Sequence, residues 1–479
     1  MVSPKGEVGG GKGEVRTALV VGGGLAGIAC AVRLAERGVA VTVLETRKKL
    51  GGRATSFQDV RSGRWLDNCQ HVVLGCCTNY LDLLGRLGVR DTLVWTNAQH
   101  WIEEGGRISE VRPGVLPAPA HFTGSFLGAT FLSMGERMQI ARACSRILRV
   151  DRDAHAGETF GAFLGSCGQT ERVIRRFWSP VVVSACNLDV GRVSAASALH
   201  VFQEGFLANR SAADIGVPGV PLLNLYEGVE GLIARAGGRV VLGEGVEAID
   251  ERGATTTGGT RYEADAIVCA VPVERVNRIV APSIRERDSR FATLDRFTHS
   301  PILGVHLTFD RPVMAEFPHA VLVDRPTQWL FRKDDAGAYL HAVISAADEW
   351  LPLAEEDVGQ RVLADVHACL PGSRDANLVS VRAVKEKLAT FAPVPGIEGL
   401  RPGVSGETPI VLAGDYIDTG WPATMEGATR SGYAAAAAVL GCSARELLVP
   451  ELPVARMARA AGLRTKDSPL IRADSSRAG

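Results

Sequence analysis

The sequence has no excess of charge of either sign, no metal-binding cysteine pattern and no long apolar run. Its 479 residues contain 53 Lys and Arg against 53 Asp and Glu, so the formal net charge is zero. A protein whose main partner is nucleic acid usually carries a basic excess, so no nucleic acid is expected. No stretch approaches the about 20 apolar residues that a membrane span needs. We therefore expect a cytoplasmic protein and leave open a peripheral contact with a membrane.

The ten cysteines form neither a CxxC pair nor a Cys/His spacing typical of a zinc site. Several lie in apolar runs, as Cys269 does between Val268 and Ala270. We interpret them as small buried hydrophobic residues of a reducing compartment, and we expect no metal. The adjacent Cys76 and Cys77 leave a redox role open.

The beginning of the chain predicts a compact β-α-β unit. Residues 1–16 are rich in Gly, Lys and Glu and are expected to form a flexible leader. A strand is then predicted over Thr17–Val21, a helix over about residues 25–37, and a second strand over Ala40–Glu45.

Later segments alternate between helical and strand patterns. Between residues 101 and 226 helical spacing dominates, for example over Ser133–Arg149 and Thr170–Ala185. Further strands, some of them continuous and apolar as in a buried parallel sheet, are predicted over Arg239–Leu242, Val246–Asp250, Asp265–Val271, Val305–Phe309, His341–Ser345 and Ile410–Ala413.

A glycine motif directly follows the first strand and opens the first helix. Gly22 permits a tight turn, Gly24 lets the backbone approach a pyrophosphate, and Gly27 lets the helix pack on the strand. Leu25 and Ala26 belong to the first helical turn, whose free N–H groups and partial positive charge attract phosphates. The motif therefore predicts a dinucleotide site.

The next two signals indicate which dinucleotide is bound. Glu45 ends the second strand, where a carboxylate can accept hydrogen bonds from ribose hydroxyls and disfavours NADP. Gly51, Gly52 and Arg53 follow six residues later, and they can bring backbone N–H groups and a guanidinium to a diphosphate. An ordinary Gly-Gly turn with a surface arginine is the alternative. At this spacing from the acid, the block favours FAD.

A third motif lies near the other end of the chain. A predicted strand ends at Gly414 and Asp415, and the Asp can bond ribityl or phosphate-linked groups. A helix is predicted to begin near Met425, within Thr424-Met425-Glu426. Its N-terminus is expected at the pyrimidine edge of the flavin, where negative charge gathers on reduction.

Nucleotide motifs at both ends indicate an α/β fold with a discontinuous, Rossmann-like FAD-binding domain and an inserted α+β substrate-binding domain. Val246, at the start of a middle strand, joins the predicted FAD-binding residues. A basic helix near 454–464 is expected on the surface, and its contact with anionic lipid is left open. The predicted division is leader 1–16, FAD domain 17–100, 226–290 and 400–445, substrate domain 101–225 and 291–399, and basic helix with tail 446–479.

Three blocks, Val20–Glu45, Gly51–Phe57 and Leu412–Gly432, resemble the flavin amine oxidase and carotenoid desaturase superfamily. Within it, Asp67–Cys76 (DNCQHVVLGC) resembles the DNGQHVLLGC signature of the squalene-associated FAD-dependent desaturases, now understood as hydroxysqualene dehydroxylases. The closer resemblance covers about residues 17–445.

The chain departs from that signature at Cys69, where a glycine is expected, and at Cys77, where an aromatic residue is expected. An added side chain at Cys69 bears on substrate preference more than on FAD binding. Other stretches similar to the family are Leu116–Pro119, Phe177–Pro180, Ala185–Asn187, Val217–Leu222, Ser300–Ile302 with His306, Phe309–Val313, Gln328–Trp329, Lys385–Phe391 and Gly414–Gly427.

The resemblance implies a flavin amine oxidase-like fold and reductive dehydroxylation of hydroxysqualene to squalene, a step of hopanoid and triterpenoid biosynthesis. That reaction needs hydride from N5 of reduced FAD, an acid that helps the hydroxyl leave as water, and a dry apolar channel. Asp67, Gln70 and His71 are the predicted catalytic residues. On a strand, Asp67, Cys69 and His71 would share one face and Gln70 the other, so His71 and Asp67 could relay the proton. Asp418 is a further candidate, and bracing of the flavin by hydrogen bonds is the alternative.

Two other functions stay open. One is an FAD-dependent isoprenoid desaturase of the carotenoid or phytoene type, or an amine oxidase, because the shared fold does not set the direction of electron flow. The other is a non-catalytic escort protein that binds isoprenoids. The expected substrate is a squalene-like isoprenoid alcohol, and the electron donor, a partner reductase or a reduced nicotinamide, is left open. Aromatic residues available to line its channel are Phe122, Phe126, Phe131, Phe177, Trp178, Phe202 and Phe206, together with Leu132.

Overall fold

The computed structural model describes residues 15–464 and 468–475. Most of the predicted leader, residues 1–14, therefore lies outside the described residues, as do the tail residues 465–467 and 476–479.

The described part contains strands and helices throughout its length. The strands are β1 (Thr17–Val21), β2 (Ala40–Glu45), β3 (Ser56–Gln58), β4 (Trp65–Asp67), β5 (Val73–Leu74), β6 (Leu93–Thr96), β7 (Gln99–Ile102), β8 (Ile108–Val111), β9 (Ile215–Pro218), β10 (Arg239–Leu242), β11 (Val246–Asp250), β12 (Gly253–Thr256), β13 (Arg261–Glu263), β14 (Ala266–Cys269), β15 (His299–Phe309), β16 (His319–Leu322), β17 (Trp329–Arg332), β18 (Tyr339–Ser345), β19 (Leu378–Phe391) and β20 (Val411–Leu412). The α-helices are α1 (Leu25–Ala35), α2 (Thr78–Arg86), α3 (Thr123–Gly128), α4 (Met134–Ile147), α5 (Phe160–Ser166), α6 (Glu171–Val173), α7 (Ser179–Cys186), α8 (Ala195–Phe202), α9 (Gly228–Arg235), α10 (Val273–Ile279), α11 (Pro282–Arg285), α12 (Glu355–Cys369), α13 (Met425–Leu440), α14 (Ala444–Leu447), α15 (Arg456–Ala460) and α16 (Pro469–Ser475).

The first sheet is parallel, with the strand order β10-β2-β1-β14-β20. Val20 on the central strand lies opposite Val43 and Val268, and all three are at most 1% exposed. Such burial is expected for a parallel sheet with both faces covered. The strands predicted over Asp265–Val271 and Ile410–Ala413 are β14 and β20, and each is shorter than predicted. The Rossmann-like α/β fold is confirmed.

Helices α1 and α13 pack tightly against each other on this sheet. A Cβ atom at Gly432 would collide with the Ala26 carbonyl, so the two backbones approach more closely than a larger residue would permit. The predicted first helix ends at Ala35 rather than Arg37. This packing fixes the positions of both helix N-termini, at Leu25 and Met425, and both follow a nucleotide motif.

The second sheet has the order β19-β15-β18-β17-β16-β7-β8 and is antiparallel except where β16 meets β7. The strand predicted at Val305–Phe309 is the second half of β15. The sequence did not indicate β19, because most of its residues are partly exposed and many are charged. The predicted boundary between residues 100 and 101 falls inside β7, and the domain divisions stay a prediction.

Helices α3 to α8 enclose a second core of aromatic side chains, which we call the aromatic core. Its rings include Trp101, Phe131, Phe160, Trp178 and Phe202, all at most 2% exposed. The helix predicted at Ser133–Arg149 is α4. The one predicted at Thr170–Ala185 is divided among α6, a π-helical turn at Ile174–Trp178 and α7.

The predicted basic helix near residues 454–464 is the shorter α15. Ala458 and Leu463 are buried against the aromatic core, while Arg456 and Arg459 are exposed. Within the described ranges, no helix is both long and apolar enough to cross a membrane.

Candidate functional site

The turn after β1 has the close backbone packing that its glycines predict. A Cβ atom at Gly27 would collide with the Gly22 carbonyl, and Gly22 has a φ of 112°. Leu25, Ala26 and Gly27 form the first turn of α1, and N–H groups of a first turn have no partner within the helix. The turn thus presents backbone donors without side chains in the way.

Gly51 and Gly52 bring a second loop against this turn. Gly24 and Gly51 form a parallel bridge, and the Gly51 N–H donates to the Gly23 carbonyl at 2.9 Å. Gly52 has a φ of 58°, and a Cβ there would lie 3.0 Å from the Gly24 Cα. We call Gly22–Gly27 with Gly51–Gly52 the glycine cradle.

Glu45 lies at the edge of the cradle, at the end of β2. Its Oε2 accepts from the Gly23 N–H at 2.8 Å and its Oε1 from the Arg47 N–H at 2.7 Å. The Glu244 N–H donates to the Glu45 carbonyl at 2.9 Å, which brings the segment before Val246 to the same strand end. The predicted FAD-binding residue Val246 therefore lies two positions after the residue that bonds to Glu45.

Arg53 joins the cradle to the C-terminal motif. Its Nη2 donates to Asp415 Oδ1 at 2.6 Å, although the two residues are 362 positions apart. The Gly414 N–H donates to Ser431 Oγ on α13 at 2.9 Å. Coulomb attraction to Asp415 and the hydrogen bond that Arg53 donates to it outweigh burial and raise the pKa of Arg53, which stays a cation. A permanent positive charge beside the cradle suits a diphosphate.

The three predicted residues at the start of α13 have two different environments. Thr424 caps the helix by accepting from the Gly427 N–H at 3.1 Å, and Met425 begins it. The Glu426 carboxylate instead accepts from the backbone N–H of Tyr80 at 2.8 Å and from Asn79 Nδ2 at 2.9 Å. Its side chain thus joins α13 to α2, and only its backbone remains at the helix N-terminus.

A dinucleotide fits this donor set. The glycine cradle offers a helix N-terminus and two loops of bare backbone to the phosphates. Arg53 adds a positive charge for the phosphates, and Glu45 places a carboxylate at the ribose position. The residues that would hold FAD are the cradle, Glu45, Val246, Arg53, Gly414, Asp415 and Thr424–Glu426. Their individual roles stay predictions.

The predicted catalytic segment is not a strand, so the expected alternation of faces is wrong. β4 ends at Asp67, and residues 68–72 form no regular strand. Asp67 Oδ1 accepts from Ser56 Oγ at 2.8 Å and from the Leu222 N–H at 3.0 Å. Because this segment is a loop, the side chain of Gln70 does not have to point away from that of Asp67, and both side chains contact Lys333.

Lys333 joins these two side chains, and the sequence did not indicate it. Its Nζ lies 3.1 Å from Asp67 Oδ2 and 3.0 Å from Gln70 Oε1. The ion pair is largely buried, with 16% and 5% of the Lys and Asp side chains exposed. We call Asp67, Gln70 and Lys333 the Asp67 cluster. Lys333 directly follows the strand β17. The sequence around it does not indicate its partner, because Asp67 lies more than 260 residues away.

His71 lies within reach of the charge of Asp67, but its hydrogen bond is made elsewhere. Its Nδ1 lies 3.0 Å from the Cys69 carbonyl. Burial lowers the pKa of His71, so its ring is neutral at neutral pH. In the described structure no hydrogen bond joins His71 to Asp67, and a direct relay between them is not assembled.

Two more histidines lie behind Asp67. His306 Nε2 lies 3.0 Å from the Asp67 carbonyl, and Tyr339 OH lies 2.8 Å from His306 Nδ1. The His341 ring stacks on His306 with centroids 3.9 Å apart. Burial lowers the pKa of His306 to about 4 and that of His341 well below its usual range. These neutral rings support the Asp67 segment without adding charge.

An apolar path leads from the signature to the aromatic core. Cys69 packs with Phe331, Val343 and Trp329, and Trp329 also packs against the aromatic core. Trp101 stacks on Phe131 in that core with centroids 4.9 Å apart. The Asp67 cluster therefore adjoins a continuous apolar region.

Asp418 lies elsewhere, on a polar cavity of about 240 Å³ together with Arg401, His200 and Trp421. Its Oδ1 accepts from the Gly420 N–H at 3.3 Å. Neither ring nitrogen of the buried His200 has a hydrogen-bond partner. The structure does not place Asp418 with the Asp67 cluster.

All ten cysteines are free thiols. Burial raises the pKa of Cys69 to about 12, and the hydrogen bond with Cys77 together with burial raises the pKa of Cys76 well above its usual value. Across residues 15–464 and 468–475, no three His, Cys, Asp or Glu side chains are grouped as for a metal ion.

Curated relatives of known name match nearly the whole chain. The probable zeta-carotene desaturase of Synechococcus elongatus is 27% identical over 89% of this chain and 98% of its own length. The 15-cis-phytoene desaturase of Arabidopsis thaliana is 25% identical over 86% of this chain and 78% of its own length.

Solved structures agree on the fold. Wild-type putrescine oxidase bound to putrescine has a TM-score of 0.67 and 18% identity, covering 89% of this chain and 99% of its own. The model of the flavin containing amine oxidoreductases matches residues 25–440. That range includes most of the glycine cradle, the Asp67 cluster and the C-terminal motif. The chain is therefore a member of the flavin containing amine oxidoreductase family, an oxidoreductase with FAD as its cofactor.

Proposed function

We propose that this FAD-dependent oxidoreductase acts on a long-chain isoprenoid. The observation that carries the proposal is the continuous apolar path from Cys69 through Trp329 to the aromatic core. A long hydrocarbon needs such a lining, since ligand sites of this kind are apolar with few polar groups. The relatives named zeta-carotene and phytoene desaturases support the same substrate class.

Desaturation is the reaction that the relatives favour. When bound, FAD supplies the two-electron chemistry. The chain's own residues would orient the hydrocarbon and exclude water, and the neutral His71 and His306 rings keep uncompensated charge away from it. The Asp67 carboxylate is balanced by Lys333 and hydrogen-bonded by Ser56, so it adds no free charge.

Reductive dehydroxylation of hydroxysqualene is a second candidate, and the Asp67 cluster favours it. A leaving hydroxyl needs a proton, whereas desaturation of a hydrocarbon has no leaving hydroxyl to protonate. In the cluster, Lys333 carries protons to donate, while Asp67 holds it in place. The resemblance of Asp67–Cys76 to the dehydroxylase signature supports this candidate. Its electron donor would be a partner reductase or a reduced nicotinamide.

One pair of anaerobic reactions separates the two candidates. The purified flavoprotein is offered hydroxysqualene after its flavin has been reduced, and zeta-carotene or phytoene while its flavin is oxidised. Flavin reoxidation with one squalene per flavin, measured by mass spectrometry, would establish dehydroxylation. Flavin bleaching with a product two hydrogens lighter would establish desaturation. Turnover of neither isoprenoid, together with formation of peroxide from oxygen when the protein is given an amine such as putrescine in air, would overturn the isoprenoid proposal. A protein that binds isoprenoids without any turnover would be an escort.

A further inference from the structure

A strongly basic and apolar face lies on one side of the aromatic core. Residues 112–149 contain five arginines and one glutamate, a net charge of +4 in a chain whose net charge is zero. The same segment exposes Val115 (97%), Leu127 (55%), Met134 (60%) and Met138 (52%). We call residues 112–149 the α3–α4 face.

The helix α4 is divided lengthwise into two sides. Ile140, Ala143 and Ile147 are buried on one side. Met138 and Arg142 share the opposite, exposed side, because residues four apart lie on one face of a helix. Methionines occupy the N-terminal half of this exposed side and arginines the C-terminal half.

Helix α3 completes the face. Arg137 of α4 donates to the Leu127 carbonyl and to the Ala129 carbonyl, both at 2.7 Å, so the exposed Leu127 lies beside α4. No residue of α3 is fully buried. The exposed apolar side chains of α3 and α4 therefore lie on two neighbouring helices, and the described protein leaves them uncovered. We call these side chains one patch.

The inner side of α3 contacts the aromatic core. The Phe126 ring meets Phe177 edge-on with centroids 5.2 Å apart, and Phe122 lies 6.4 Å from Phe206. A ligand that moved from this patch into the protein would reach the aromatic core, which we propose as part of the isoprenoid site.

We propose that the α3–α4 face rests on the surface of a bilayer containing anionic phospholipid, with its apolar side chains at the headgroup level and its arginines against the phosphates. The choice of lipid rests on charge complementarity, because exposed apolar side chains mixed with arginines match an anionic headgroup layer. A folded protein that bound this face would need a surface that is both acidic, to match the arginines, and apolar, to match the exposed side chains. The link to the aromatic core rests on the proposed isoprenoid substrate, while the docking face itself does not.

Flotation of the FAD-loaded full chain with vesicles tests the face. Vesicles of phosphatidylcholine alone are compared with vesicles that also contain phosphatidylglycerol. The wild type is expected to float with the anionic vesicles and to be released by high salt, which screens exposed charges. Leu127→Glu with Met138→Glu, and separately Arg142→Glu with Arg149→Glu, should each lower binding about tenfold or more.

Two matched controls keep the test specific. Val379→Glu changes an equally exposed apolar residue (64%) on β19, and Arg456→Glu reverses an exposed arginine on α15. Both should float as the wild type does, and all variants should retain flavin absorbance. Unchanged flotation of both α3–α4 variants would overturn the proposal, and so would loss of binding in Arg456→Glu alone, which would assign the contact to α15. A wild type that ignores vesicles but forms dimers that Leu127→Glu dissociates would overturn it in favour of self-association.

An assay in detergent separates this inference from the proposed function. If the α3–α4 variants lose flotation but convert isoprenoid in micelles at the wild-type rate, both proposals are supported. If the wild type floats and the variants do not, while no isoprenoid is converted in micelles, the docking face stands and the substrate proposal fails.

Discussion

The glycine cradle and the Asp67 cluster are built from different parts of the chain. The cradle is backbone held by close packing, with Gly27 against Gly22 and Gly52 against Gly24. The cluster is a set of side chains, in which Lys333 reaches Asp67 from 266 positions away. We therefore predict that backbone groups, which every residue has, bind the cofactor, whereas the reaction depends on side chains that only this arrangement brings together. The predictions below test that division, beginning with loss of the cofactor, on which all turnover depends, and ending with the smallest expected effect.

Gly27→Ala should break the cradle. Alanine favours a helix over glycine by about 1 kcal/mol, so helix propensity alone would stabilise the variant. The new Cβ collides with the Gly22 carbonyl, and relief requires the turn or α1 to move. We expect FAD affinity to fall by about tenfold to a hundredfold, measured as flavin absorbance per protein after dialysis. Gly85→Ala is the control, because a Cβ there meets no atom within 4 Å in α2. Equal flavin content in both variants would show that the cradle does not depend on this contact.

Lys333→Met and Asp67→Asn should separate the cluster from the cradle. Each change removes one side of the ion pair, and loss of a positioned proton donor lowers turnover by about a hundredfold or more. FAD should remain bound, because neither side chain belongs to the cradle. Turnover is measured by product mass spectrometry together with flavin absorbance. Lys385→Met is the control, since Lys385 Nζ donates to the Leu351 carbonyl at 2.9 Å and contacts no member of the cluster.

His71→Ala belongs in the same assay. Near-normal turnover in both Asp67→Asn and His71→Ala would reject the catalytic assignment and leave these residues as supports of the flavin. Loss of turnover in Asp67→Asn but not in His71→Ala would assign the proton to Lys333 and its partner.

The sequence predicts the cradle well because its signals are local. A strand, three glycines and a helix follow one another within a dozen residues, and Glu45 ends the next strand. The cluster was only half predicted. Asp67 and Gln70 were found through their resemblance to a signature, but the loop that brings them together and Lys333 itself depend on tertiary packing. For the same reason β19 was missed, since its pairing with β15, and not its own pattern, makes it a strand.

A buried ion pair in the segment after α11 holds the chain just before β20 and should make stability depend on pH. Arg290 Nη2 donates to Asp288 Oδ2 at 2.6 Å and to the Ile410 carbonyl, just before β20, at 2.7 Å. Burial alone would raise the pKa of Asp288, but hydrogen bonds from Arg290 and Thr408 outweigh it and hold the pKa well below its usual range. Because the folded pKa is the lower one, the stabilisation is complete above the unfolded pKa of about 4 and is lost as the pH falls through the folded value.

Asp288→Asn should lower the free energy of unfolding by about 3 kcal/mol at neutral pH. The difference from the wild type should shrink as the pH falls below about 4. Urea titrations at several pH values measure it. Glu251→Gln removes the partner of Arg287 in an exposed pair and should change stability by less than about 1 kcal/mol. A difference for Asp288→Asn that is constant with pH would mean that the carboxylate charge is not what holds β20.

The smallest expected effect is at Cys69, which lies in the sequence between Asp67 and Gln70 of the Asp67 cluster. Cys69→Gly restores the signature residue and removes a buried side chain that packs with Phe331 and Val343. We expect a stability loss of about 1–2 kcal/mol from the lost packing and unchanged FAD content. Because Cys69 begins the apolar path, the ratio of kcat/KM between a C30 and a C40 isoprenoid should shift by about tenfold, the low end of what one small group in an apolar pocket does. Cys369→Ala, in the core of the second sheet, should lose stability without changing that ratio. Identical ratios in the two variants would place the substrate path away from Cys69, and the aromatic core would then be a structural core without a direct connection to the signature.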